Sequence, residues 1–415
     1  MASHVFMFHR TVSSMLFLVI TTLVITTSSG RRELSELQEV EIQKHLKRIN
    51  KPAVKSIKSL DGDIFDCVNI TNQLAFDHPL LKNHTIKMRP SFIPKDLFRN
   101  NKKQSGLIST QLWQRSGKCP KNTVPIRRTT RKDLLRWGSI ESYGKKDPNG
   151  IRNYGSHPAA NNELPKHEYA VIRGRVGGIY NGIEAAINVW KPYVQEWNEF
   201  SLAQMWILGG IDAPDFNSLE AGWQVYPRLY GDDNPRLFIL WTADRYKTGC
   251  YNHMCSGFVQ TNQAIGIGGA FDQVSTYDGN QFKVTLLIMK DPQSGDWWLV
   301  VNDVSVGYWP KSILSHLKGS ASGVEWGGEI LNFKVGGRHT NTDMGSGHFA
   351  EEGFKKSCSM HHISIVDEHH VKRETEIDQT IVDNAKCYNL AHGNNDPNWR
   401  TYIYFGGPGQ NPGCP

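Results

Sequence analysis

After its first thirty residues this 415-residue chain has no apolar run long enough to cross a bilayer, so the remainder is expected to be soluble. Several hydrolase signatures are missing as well. There is no Gly-x-Ser-x-Gly elbow, because Gly345-Ser346-Gly347 lacks the spacing, and no His-Glu-x-x-His. Neither Asp-Thr-Gly nor Asp-Ser-Gly occurs, and no phosphate loop is present. Elbow-type serine hydrolases, zincins and aspartic peptidases are thereby set aside. The glycines at Gly266, Gly268 and Gly269 follow no βαβ pattern, which argues against a dinucleotide site. His361-His362 and His369-His370 lack the order of a ligand set and read as a solvated loop. No metal is expected.

What is present begins with a leader. His9 and Arg10 precede the apolar stretches Met15–Ile20 and Leu23–Ile25, and Ser28-Ser29-Gly30 follow, the layout of a cleaved signal peptide over 1–30. Export decides how the seven cysteines are read, since an oxidising compartment favours bridges over metal ligation. Cys250 and Cys255 enclose four residues and predict a small local disulfide. His253 between them has no second ligand pair at a finger-like spacing. An odd count leaves one thiol over. Two sequons, at Asn69 and Asn83, fit the same route and are candidate glycosylation sites.

Charge divides the chain. Residues 31–165 hold 26 Lys and Arg against 13 Asp and Glu, whereas residues 166–415 hold 20 against 27. Basic regions often contact nucleic acid or membranes. In an exported chain the simpler expectation is that the two halves attract each other, with no nucleic-acid partner. The basic half predicts a helix over Glu33–Arg48 and a short charged helix near Leu134-Leu135. Residues 144–165, rich in Gly, Pro, Asn and Lys, read as a linker open to proteolysis.

From His167 onward, short strands alternate with turn residues. Strands are expected over 169–174, 201–208, 224–226, 237–242, 282–289, 297–302, 307–309 and 362–366. Only Ile183–Trp197 competes as a helix, and Pro192 weakens it. The pattern predicts an all-β, antiparallel sandwich or barrel behind a small mixed α/β region. Ten of the twelve tryptophans fall in this half, as core or as the lining of an aromatic groove.

Two carboxylates stand in unusual company. Glu220 and Glu329 are each framed by glycine and tryptophan on otherwise apolar segments, Asn217–Val225 and Glu325–Ile330. Glycine admits a close substrate backbone, and an indole wall would exclude water. A carboxyl so placed is pushed towards its protonated form, and two sharing a site can divide acid and base roles. The plainer reading is a structural glutamate bonded to a turn.

Ordered blocks then carry a resemblance. They include Asn50–Ile57, Asp61–Ile64, Ala75–Lys82 and Cys119–Arg128 in the basic half. In the other half they are the Glu220 and Glu329 segments, Tyr230–Asp232, Trp241–Asp244, Thr248–Gln260, Trp297-Trp298, Gly307–Pro310 and Thr342–Gly347. Over nearly its whole length after the signal segment the chain resembles the neprosin family, plant secreted glutamic peptidases that cleave after proline, with their activation peptide. With the signal peptide over 1–30 and the linker with a processing site over 144–165 already read from the residues, the activation-peptide region makes 31–143 a pro-domain. The resemblance implies a catalytic domain over 166–415, a sandwich of two curved, concanavalin-like sheets. It also implies a catalytic pair matching Glu220 and Glu329 and the disulfides Cys250–Cys255 and Cys387–Cys414, with Cys358 outside the two pairs.

The expected chemistry is metal-free and cofactor-free hydrolysis of proline-rich substrate. One ionised glutamate takes a proton from attacking water, and the other, protonated, donates to the developing oxyanion. Gln204 and Tyr251 are expected to polarise the carbonyl or position water, with Trp223 and Trp326 walling the groove. The basic pro-domain is expected to act as an intramolecular inhibitor, released when acid protonates carboxylates. The product would be secreted to the cell wall or apoplast. The rival from another class is a non-catalytic wall or glycan-binding sandwich using the same indoles for sugar stacking.

Overall fold

The structure is a computed structural model that describes residues 36, 38–94, 107–147 and 165–415. The signal-peptide segment and residues 148–164 of the expected linker lie outside the described residues. The chain divides into two units, Met1–Arg48 and Ile49–Pro415. The described part of the first unit, residues 36 and 38–48, is helical and falls within the helix expected over 33–48.

In the second unit, two large sheets face each other across one core. A seven-stranded sheet runs Cys250–Tyr251, Arg236–Thr242, Asn217–Val225, Ser201–Gly209, Gly323–Asn332, Lys166–Arg173, Gln379–Val382, with every neighbouring pair antiparallel. The ten-stranded sheet opposite is centred on Phe282–Lys290, Gly182–Asn188 and Cys358–Val366. Side chains alternate, so Leu219, Ala221 and Trp223 of one strand enter the core with Trp326, Ile330, Trp297 and Trp309. The protein is an all-β sandwich.

Two of the strands absent from the expected set are interior ones. Gly182–Asn188 overlaps the start of the stretch where a helix competes, and it is a fully buried central strand. Its Ile183, Ala185 and Ile187 all enter the core, and a buried strand loses the polar alternation that marks its period. Gly323–Asn332 is hidden by its glycine pair. At Gly327 (φ +150°) an added Cβ would stand 2.2 Å from the Ala170 carbonyl, so only glycine fits that backbone there.

The basic N-terminal region has its own three-stranded antiparallel sheet, Ala53–Lys58, Ile64–Asn69 and Thr123–Arg127, tied by Cys67–Cys119. It grips the sandwich in two places. On the outer face of the ten-stranded sheet, Ala75, Phe76 and Ile86 pack over Leu287, Met289, Trp298, Val300 and Tyr308. His84 Nε2 and the Tyr308 hydroxyl are 2.7 Å apart, and Lys87 pairs with Asp296 at 2.7 Å. The second grip is ionic: the fully buried Arg236 meets Asp63 and, at 3.3 Å, Asp61, alongside Asp232 of its own domain. Here the charges run opposite to the net asymmetry, because the cation belongs to the acidic half.

Cys250–Cys255 and Cys387–Cys414 are bridged, and Cys358 is free and buried in the core. Asn69 and Asn83 are exposed. No helix among the described residues is long and apolar enough to cross a membrane.

Candidate active site

Glu220 and Glu329 lie on strands that flank the same central strand, Ser201–Gly209. In the ladder, Gln204 stands opposite Gly222 on one side and Gly327 on the other. By alternation Glu220, Gln204 and Glu329 all point away from the core. They converge. Gln204 Nε2 lies 3.0 Å from Glu220 Oε2 and 3.5 Å from Glu329 Oε2, so both carboxylates reach one amide nitrogen.

The two acids have different surroundings. Glu220 Oε1 accepts hydrogen bonds from the hydroxyls of Ser218 and Tyr246, each at 2.7 Å. Glu329 Oε1 lies 2.5 Å from His167 Nδ1. Both carboxylates are also held by a lysine from the N-terminal region: Lys146 Nζ is 3.0 Å from Glu329 and 3.6 Å from Glu220, and 5.4 Å from the centre of the Tyr246 ring. All three charged side chains are at most 2% exposed. Burial alone would raise the Glu329 pKa, but Lys146 and the His167 hydrogen bond outweigh it and hold the carboxyl down at about 2. Burial likewise opposes the Lys146 ammonium, and the attraction of Glu220 and Glu329 overcomes it, raising the lysine above its ordinary value.

Local structure delivers Lys146 to this point. The helix Arg131–Trp137 is closed at its start by a Thr130–Asp133 capping box and at its end by Gly138 in the left-handed conformation. Trp137 then packs edge-on against Tyr143 and Tyr226. The Gly144 carbonyl accepts from the Tyr251 backbone N–H at 2.8 Å. An added Cβ at Gly144 would lie 2.6 Å from Met254 Cβ, which fixes the close approach of the two backbones. Two residues later the ammonium enters between the acids. Residues 144–147, expected as the start of an open linker, are therefore packed structure.

The other expected residues divide. Gln204 bridges the pair. Tyr251 is buried near it, and burial followed by the fields of Tyr226, Glu329 and Glu220 pushes its phenol well above its ordinary pKa, so it stays protonated. Trp223 and Trp326 do not wall the groove. Each stands three positions from its glutamate, an odd offset on a strand, and both are fully buried in the core on the opposite face. A sugar-stacking groove built on those two indoles loses its platform for the same reason.

Sequence reasoning missed Ser218, Tyr246, His167 and Lys146. Ser218 was within reach, being two residues from Glu220 on one strand and hence on its face. His167 needed the register, which sets Tyr169 opposite Glu329 and His167 diagonal to it.

The family model of neprosin matches residues 197–408, and that of the neprosin activation peptide matches residues 56–173. The chain belongs to the neprosin family. It is a peptidase precursor, an activation peptide followed by a peptidase domain. Among solved structures it is similar to scytalido-glutamic peptidase bound to a peptide-based transition-state analogue, with 12% identity, 58% of this chain and 98% of that one covered, and a TM-score of 0.31. It is also similar to SCP-B, a member of the eqolisin family of peptidases, in complex with the tripeptide Ala-Ile-His (12% identity, 58% and 98% covered, TM-score 0.29). A third is CG-16, a homodimeric agglutinin from chicken liver (10% identity, 39% and 93% covered, TM-score 0.20).

Proposed function

We propose that this neprosin is a secreted, acid-active glutamic endopeptidase that cleaves after proline and is held latent by Lys146. The observation that carries the reading is the convergence of Glu220 and Glu329 on one amide and one ammonium. With Lys146 withdrawn, the space it occupied is left for water and a scissile carbonyl. Glu329 keeps its His167 hydrogen bond, which favours the ionised form, and so takes the proton from water. Glu220, on the other side of Gln204, serves as the acid and delivers a proton to the carbonyl oxygen and then to the leaving nitrogen. Gln204, bonded to both, orients the water, and the protonated Tyr251 donates to the oxyanion. Three disulfides and two exposed sequon asparagines support export to the cell wall or apoplast.

The decisive experiment is an acid-pH digest of a mixed protein substrate by the processed enzyme, with all new termini identified. Cuts concentrated after proline are expected. Termini without that bias would remove the specificity, and an undigested substrate would remove the peptidase mechanism.

Acid would act first at groups other than the Lys146 pairing. In the precursor Glu329 is held at about 2, so its pairing with Lys146 persists through mild acid and is lost only as pH falls through that value. The groups that respond earlier are imidazoles. Burial depresses His78 and His84 below their ordinary 6.5, with Lys87 adding to the effect at His84, and burial takes His253 down to about 4. A histidine with a lowered folded value contributes fully above 6.5, and its contribution declines as pH falls towards the folded value. His84 and His78 belong to the activation peptide, against Tyr308 and Trp241 respectively. Release is therefore expected to begin below pH 6.5. In His84→Gln, with the linker cut, several-fold more activation peptide should co-elute with the domain at pH 5 on size exclusion. An elution profile identical to wild type at every pH would remove His84 from the trigger.

A further inference from the structure

A second site lies on the other side of the sandwich. On the terminal hairpin of the ten-stranded sheet, Asn389–Asp396 and Arg400–Gly406, Ile403 and Phe405 enter the core, so Tyr402 and Tyr404 stand on the outer face. With Phe354, Asp396, Asn398 and Trp399 they line an open cavity of about 410 Å³. Phe354 is 48% exposed, and the Trp399, Tyr402 and Tyr404 side chains are half-buried.

The aromatic surface is fixed in place. The Trp399 ring stacks at 5.0 Å on His361, a buried side chain opposite Tyr402 in the ladder. It meets Phe354 at right angles at 5.1 Å and Tyr404, tilted, at 5.5 Å. The turn that carries it is closed by the Asp396 carboxylate, which accepts from the backbone N–H groups of Asn398 and Trp399. His362 Nε2, 2.8 Å from the Asn398 carbonyl, and the His362 N–H, bonded to the Trp399 carbonyl, tie the turn to the neighbouring strand. Rigid, uncovered aromatics of this kind bind ligands at little ordering cost.

We propose that this cavity binds a neutral glycan whose pyranose rings carry equatorial hydroxyls. The flat C–H face of such a ring packs on Trp399, and its rim of hydroxyls meets Asp396, Asn398 and the two tyrosine hydroxyls. The lining chooses among ligands. An ionised carboxylate only accepts hydrogen bonds, so it calls for a ligand rich in donors. Sugar hydroxyls supply them. A polyproline segment has no N–H to offer and presents carbonyl oxygens that the Asp396 charge repels. The same charge disfavours uronate chains. The site lies on the face opposite the Glu220–Glu329 pair and does not rest on their assignment.

Titration of the full-length protein with cellohexaose and xylohexaose, followed by calorimetry and tryptophan fluorescence, tests the proposal. Saturable binding is expected to be roughly tenfold weaker in Trp399→Ala, the size of one lost aromatic stacking surface. Asn398→Ala, an exposed change that leaves the rings in place, should weaken binding with thermal unfolding unchanged, which covers the case in which Trp399→Ala fails to fold. Absence of binding by both sugars overturns the proposal. So does binding unaffected by Asn398→Ala and Tyr402→Ala, or saturation at this cavity by oligoproline or oligogalacturonate in place of the neutral sugars.

Discussion

Glu220→Gln and Glu329→Gln should each lower peptide hydrolysis by about a thousandfold, within the range that positioned acid–base groups contribute. Glutamine keeps the shape and some of the hydrogen bonds of glutamate but can neither take the proton nor give it. The two variants should nevertheless differ in the precursor. Glu220→Gln retains neutral-donor contacts with Ser218 and Tyr246, whereas Glu329→Gln leaves the buried Lys146 ammonium without its shorter ion pair. Denaturant unfolding of the two precursors should therefore show the larger loss in Glu329→Gln, and the processed domains should be nearly equal to wild type. Substantial hydrolysis by either variant, measured on a proline-containing peptide at acid pH, would falsify the assignment.

The second large effect is expected at Lys146. In a precursor whose linker cannot be cut, Lys146→Ala should hydrolyse peptide while the wild type remains silent, because the group that occupies the space between the acids is gone. The same change leaves two buried carboxylates without their cation, at a cost of about 3–5 kcal/mol near neutral pH. That cost has a sign to check. Without the lysine, burial raises Glu329 back from about 2, so acid protonates it more readily and the destabilisation should shrink as pH falls. Unfolding curves at two pH values read this directly. A silent, uncut Lys146→Ala precursor would show that coverage of the groove by the rest of the activation peptide is sufficient for latency.

Much of this architecture could be read from residue types. The short strand-like stretches at 201–208 and 237–242 and the turn clusters between strands pointed to a sandwich, and the Gly–Trp frames singled out the two glutamates. What failed was the step from sequence neighbours to spatial neighbours. Trp223 and Trp326 are close to the acids in the chain, yet a strand sends residues three apart to opposite faces. The partners that matter came from afar. His167 lies 162 positions from Glu329, Tyr246 is 26 from Glu220, and Lys146 is 183 from Glu329. Only strand register and a docked N-terminal segment bring these together, and neither has a local signature. Net charge gave the right partner for the wrong contacts: it anticipated a basic segment over acidic groups, as at Lys146, but not Arg236 received by Asp61 and Asp63.

The double grip of the activation peptide alters what a proteolytic cut accomplishes. With apolar packing on one sheet and a buried guanidinium–carboxylate cluster elsewhere, severing the tether breaks none of those contacts. It converts an internal ligand into a separate molecule, whose occupancy then follows mass action. Nicked protein kept concentrated would stay closed and open on dilution, so that the onset of activity would track protein concentration after every tether had been cut.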